Sequence, residues 1–117
     1  MTVRPDQTDK TTDTASEDIS LLLADLWRRH LPTLHERLDL LDRIANEATS
    51  GPLPESLREQ AQSVAHKLAG NLGMFGHNEA GDIASEMEQI LKAPTAQTLL
   101  ELAPLAQSLR QQLTPNL

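Results

Sequence analysis

From Ile19 to Ala48 the apolar side chains recur every three or four positions: Ile19, Leu23, Trp27, Leu31, Leu34, Leu38, Leu41, Ala45, Ala48. That interval is the repeat of one face of an α-helix, and a strand, with its period of two, cannot present it on one side. An amphipathic run of this length must bury its stripe against other elements, which commits the chain to packed helices. Composition agrees. Leu and Ala, the best apolar helix formers, supply 21 and 13 of the 117 residues. Val and Ile together supply six and Phe plus Trp two, too few of the residues that strands favour to build a sheet.

Punctuation divides the rest. Residues 1–15 are almost entirely polar and read as a disordered N-terminal tail, unable to offset the entropy of ordering. Ser16-Glu17-Asp18 predicts a helix start, a capping hydroxyl followed by acids. Pro32 predicts a kink or short break, although the stripe keeps its phase across it, so both segments are expected on one core. Ser50-Gly51-Pro52 is a stop, and Pro54 suits the first turn of the next helix. That helix carries Leu57, Ala61, Val64, Ala65, Leu68 and Leu72 and ends near Gly73–Phe75. Asn78 is expected to cap a helix from Glu79 to about Leu91, with Ala80, Ile83, Met87 and Ile90 inward. Thr95 caps a last helix to about Leu113, bent at Pro104, with a short tail over 114–117. Short loops make neighbouring helices antiparallel. The expected fold is all-α: an up-down antiparallel four-helix bundle over 16–113 with an extra N-terminal helical segment.

Charge and motif content remove several functions. Ten basic against seventeen acidic residues give a net charge of −7, opposite to what nucleic acid or an anionic membrane recruits. Without cysteine there is no disulfide, thiolate nucleophile or thiolate metal site. No apolar run approaches the roughly 18 residues of a spanning helix, and no signal-peptide core stands at the N-terminus, so a cytoplasmic location is expected. No glycine-rich loop followed by Lys and Ser or Thr offers a nucleotide site. His30 and His35 are five apart and do not form a helical metal pair. With His77 they read as surface residues, and no metal site is expected. Trp27 and Phe75 read as core anchors, and Met74 as a gap-filler.

One surface departs from this bland pattern. On a wheel with Val64 at zero, the stripe of its helix spans about 0–80°, and His66 falls near 200°. Gln62 and Ser63 lie below it on that outer face, Ala69, Gly70 and Gly73 above. Two outward glycines in a helix cost roughly 0.8–1.0 kcal/mol each relative to Ala. They leave room for another chain's backbone to reach the imidazole. Imidazole, with an ordinary pKa of about 6.5, offers a neutral nucleophile at pH 7. A lone exposed histidine is ordinarily a solvated residue. The glycines by themselves would also suit close packing with another helix of the chain; their coincidence with His66 opposite a clean apolar stripe is what raises a functional reading.

The run Ala65-His66-Lys67-Leu68-Ala69-Gly70-Asn71-Leu72-Gly73-Met74-Phe75-Gly76 resembles the signature of the histidine phosphotransfer (HPt) domains of two-component phosphorelays. The matching positions are His66, Leu68, Gly70, Phe75 and Gly76, and the next helix continues the match with Ile83, Met87 and Glu88. The resemblance covers roughly residues 17–113, with its specific part at 64–91. It implies that His66 accepts a phosphoryl group from a receiver-domain aspartyl phosphate, or from a kinase, and passes it to a response regulator. It implies no ATP site and no turnover of the chain's own. No cofactor is expected on the chain, Mg belonging to the partner receiver. A polar residue of the next helix often hydrogen-bonds the second ring nitrogen. By wheel position Glu86 and Glu88 both border the core, about 100° from its centre, and spacing alone does not choose; the resemblance favours Glu88. The sequence departs from the pattern at Ala69, where many members carry Lys; Lys67 is the candidate for phosphate neutralisation. Partner contacts are expected at Gln62, Ser63, Ala69, Gly70 and Gly73. The expected partners are a receiver domain or a hybrid sensor histidine kinase, engaged by a monomer. The alternative is a non-catalytic bundle that binds a receiver without carrying phosphate.

Overall fold

In the computed structural model, which describes the backbone of residues 5–117 and the side chains of 17–117, every regular element is helical. They are α1 (Pro5–Ala48), α2 (Glu55–Met74), α3 (Asn78–Lys92), the single turn α4 (Ala96–Leu99), α5 (Leu102–Leu113) and a closing 3-10 turn, Thr114–Asn116. The chain divides into two compact units, Met1–Leu31 and Pro32–Leu117. The first contains the N-terminal part of α1. In the second, the remainder of α1 joins α2, α3 and α5 in the expected up-down four-helix bundle. No helix among the described residues is long and apolar enough to cross a membrane.

Most of the predicted stripes turn inward, while Leu57, Val64, Ile83 and Ile90 are half-buried at the edge. Leu34, Leu38, Leu41 and Ile44 of α1 meet Leu68 and Leu72 of α2, Met87 and Leu91 of α3, and Leu102, Leu109 and Leu113 of α5, all essentially inaccessible. Each such side chain contributes about 1.5–3 kcal/mol through removal from water. Polar ties fix the pairing of elements. Arg110 of α5 donates from Nε to Asp42 at 2.9 Å and from Nη2 to Asp39 at 3.0 Å, holding α5 to α1. Burial alone lowers its proton affinity, yet the two aspartates raise it on balance. Arg58, near the start of α2, donates from Nη1 to the Leu91 carbonyl at 2.7 Å and so satisfies one of the open acceptors at the end of α3. Its guanidinium also holds the Glu55 carboxyl below the usual range.

Several boundaries differ from the sequence reading, each for a local reason. The helix start predicted at Ser16 lies far inside α1, which begins at Pro5; residues 5–15 of the expected tail are helical, and residues 1–4 lie outside the described residues. Proline at the first helical position is preset for the helix, and adding residues to an existing helix is far easier than nucleating one. Pro32 does not interrupt α1. It sits on the exposed side, where the carbonyl it frees is open to water. The stripe is buried from Leu34 onward, whereas Ile19 and Leu23 are exposed and Trp27 and Leu31 half-buried.

Pro54 takes the cap position of α2 rather than its first turn, and His77, not Asn78, precedes α3 without a side-chain cap. At the end of α2, the His77 N–H reaches the Leu72 carbonyl at 2.8 Å and the Gly76 N–H reaches that of Gly73 at 3.1 Å. This stop requires the left-handed backbone that Gly76 supplies, at φ +85°. Thr95 caps as expected, through a reciprocal pair with Thr98. The last helix is split rather than bent. Pro104 has no N–H for the Leu100 carbonyl, and the helix breaks there, at Leu100–Glu101. The expected C-terminal tail is mostly a 3-10 turn.

Candidate functional site

Helix α2 buries Ala61, Ala65, Leu68 and Leu72 and turns His66 to the opposite side, where its side chain is 74% exposed. The ring is nevertheless held. Its Nδ1 lies 2.9 Å from Oε2 of Glu88, whose side chain is only 10% exposed in the seam between α2 and α3. Glu86 is exposed on the outer side of α3. An ionised carboxylate can only accept, so this contact assigns the proton of the neutral imidazole to Nδ1 and leaves the lone pair on Nε2. Glu88 is itself flanked by Lys92, with Nζ 3.9 Å from the same oxygen.

The seam is set by Gly81. A β-carbon there would stand 3.4 Å from the Ala69 carbonyl oxygen and 3.5 Å from the Gly73 nitrogen, so α3 rests almost directly on the backbone of α2. Residues 73 and 81 belong to the same antiparallel register as His66 and Glu88, each pair seven residues along its helix from the other. Around the ring, Glu59, Gln62, Ser63, His66 and Glu88 line a shallow depression. Arg58 holds the Gln62 side chain from Nη1 at 3.0 Å. Above the ring, Gly70 and Gly73 are exposed, and no atom lies within 4 Å of where their β-carbons would be. A more enclosed apolar hollow lies at the end of the bundle, lined in part by Pro52, Leu53, Pro94 and Leu99, but it contains no histidine.

The Hpt domain family model matches residues 17–114, the stretch that contains this helix pair and all of the bundle. The chain belongs to the Hpt domain family. It is thus a phosphotransfer module, built on a helical bundle. It is similar to Protein RcaC of Microchaete diplosiphon, with 36% identity over 66 residues that make up 56% of this chain and 10% of that protein. The chain therefore spans about a tenth of that relative's length. No solved structure matches it significantly.

Against this Hpt frame, the residues singled out in the sequence sort clearly. His66, Glu88, Gln62 and Ser63 are brought together, and Gly70 and Gly73 leave open space above them. Lys67 is exposed, one residue round from the ring. Ala69, like Gln62, is half-buried, and its carbonyl faces Gly81 where α3 approaches α2 closely. Met74 fills no gap; it is 62% exposed at the end of α2. His35 is on the surface as read, but His30 and His77 are half-buried, the latter in the tight link between α2 and α3. Trp27 and Phe75 are half-buried rather than central. Among the described residues no group of three or more His, Cys, Asp or Glu is placed to hold a metal ion. Two neighbours were missed. Glu59 is two turns before His66 on the same face, and Lys92 is one turn after Glu88, so helical spacing carried both signals.

Proposed function

We propose that His66 is the phosphoryl acceptor and that the module carries the group between two-component partners, from a receiver-domain aspartyl phosphate or a sensor kinase to a response regulator. The observation that supports this most strongly is an exposed ring whose inner nitrogen is tied to a buried carboxylate while the positions above it carry no side chain. In the step, the Nε2 lone pair attacks phosphorus in line with the departing aspartate oxygen. A P–N bond forms, the P–O bond to the aspartyl carboxyl breaks, and the carboxylate leaves with its electron pair. No proton moves, because the phosphorylated ring keeps the hydrogen on Nδ1, where Glu88 accepts from it. Attack by a second receiver's aspartate reverses these bonds. Charge neutralisation falls to the partner's Mg ion and, on this chain, to Lys67, the phosphate itself supplying little that needs covalent assistance. Incubation with a phosphorylated receiver domain is expected to deposit one acid-labile phosphate per chain. A chain that forms a complex with the receiver but never takes up phosphate is instead the non-catalytic module.

Two substitutions probe the geometry. Glu88→Ala removes a hydrogen bond to a charged group, worth about 1.5 kcal/mol, and is expected to slow transfer about tenfold. Imidazole nitrogen NMR is expected to show the Nδ1–H form losing its predominance. An unchanged tautomer ratio and rate would deny the carboxylate an orienting part. Gly70→Gln fits sterically, since its side chain enters open space, and it removes a helix penalty of roughly 0.5–1 kcal/mol. The variant is expected to melt slightly later than the parent yet transfer phosphate more slowly, because the new side chain stands where the receiver must approach. Equal transfer rates would refute that steric account.

A further inference from the structure

One apolar stripe has no part in the site around His66. In the Met1–Leu31 unit, Ile19, Leu22, Leu23 and Leu26 of α1 are between 36% and 58% exposed. With Ile19 at zero on a helical wheel, the other three fall within about 60° of it, so they form one continuous face. Four aliphatic side chains on about two exposed turns of helix are a surface that soluble chains normally cover.

We propose that this stripe pairs with the same stripe of a second copy, the two helices antiparallel. Two features favour that occupant. The spacing is palindromic: Ile19 to Leu22 is three residues and Leu23 to Leu26 is three, so the stripe reads the same in both directions and suits a two-fold, self-complementary interface. The charges at its ends have opposite sign. Glu17 and Asp18 precede it. Arg28 and Arg29 follow it, and both pair with Asp25, Arg29 at 2.9 Å, which leaves that end one positive charge over. Asp18 and Arg29 lie on one flank of the stripe, about 80–100° round from Ile19 and about 16 Å apart along the axis. Antiparallel pairing sets the acidic end of each copy beside the basic end of the other. Parallel pairing brings the two acidic ends together and the two basic ends together, and like charges repel. The monomer expected from the sequence is replaced by a weak dimer. With four aliphatic residues per copy the contact belongs to the small interface class, so half-association is expected at roughly 10–100 µM.

Sedimentation equilibrium of the full chain across that range is expected to show the mass rising from 12.9 kDa toward twice that value. Leu22→Asp and, separately, Leu26→Lys are expected to raise the dissociation constant at least tenfold without loss of helical circular dichroism. Orientation is read by disulfide trapping, since the chain has no cysteine of its own. A mixture of Asp18→Cys and Arg29→Cys chains is expected to cross-link between the two kinds, and Asp18→Cys alone is not. A mass of 12.9 kDa at every concentration, as when the stripe folds onto its own chain, overturns the proposal, and so does efficient self-linking of Asp18→Cys.

Discussion

A His66→Gln chain, incubated with a phosphorylated receiver domain, is expected to carry no phosphate at all. Glutamine can still reach toward Glu88 with an amide N–H, so the polar contact across the α2–α3 seam need not collapse. It has no ring nitrogen with an available lone pair, and the nucleophile is gone. Because the side chain is 74% exposed and makes no part of the core, helical circular dichroism and the thermal midpoint are expected to match the parent. The measurement is the amount of acid-labile label per chain beside the two melting curves. Persistent labelling at full stoichiometry would falsify the assignment of His66. Persistent labelling with the alkali stability of a different linkage would point to the hydroxyl or carboxylate that took it.

The second large effect concerns stability rather than transfer. Leu68 lies two residues beyond His66 on the buried side of α2 and is wholly inaccessible. Leu68→Ala deletes buried methyl groups and leaves a cavity that neighbouring side chains fill only in part. The expected loss is about 2–5 kcal/mol, a large share of the roughly 5–15 kcal/mol that holds a domain of this size together. Urea titration is expected to show a lower midpoint with an unchanged slope, since the area exposed on unfolding hardly alters. Folded Leu68→Ala chains are still expected to accept phosphate, because the ring and its carboxylate are untouched. A midpoint within error of the parent would mean that the helix does not bury this face.

These two residues illustrate what a sequence can carry. They lie within one turn of one helix, about 200° apart, and the wheel alone placed Leu68 inward and His66 outward, because burial along α2 follows the 3.6-residue repeat with little interference. The choice between Glu86 and Glu88 was not local. On the wheel both border the core, and the contact of Gly81 with Ala69 and Gly73 sets the register that brings Glu88 level with the ring. The half-burial of Ala69 was not local either: its exposure depends on how closely a neighbouring helix can approach. Helix ends were legible where a residue acts on its own backbone, as Thr95 does. They were less so where two signals compete. Ser16 is a sound cap, yet the helix runs on to Pro5. Pro104 had two outcomes open to it, a bend or a break, and the missing hydrogen bond to Leu100 produced a break.

The absent side chain at Gly81 has a mechanical corollary. Two rods touching at a bare spot and joined by a polar link two turns away cannot roll against each other without opening a gap at one point or a clash at the other. The carboxylate is thus aimed by the rigid bodies that hold it, and its own torsions have little left to decide. A device of this kind fixes which ring nitrogen of His66 is turned inward and which is turned to solvent.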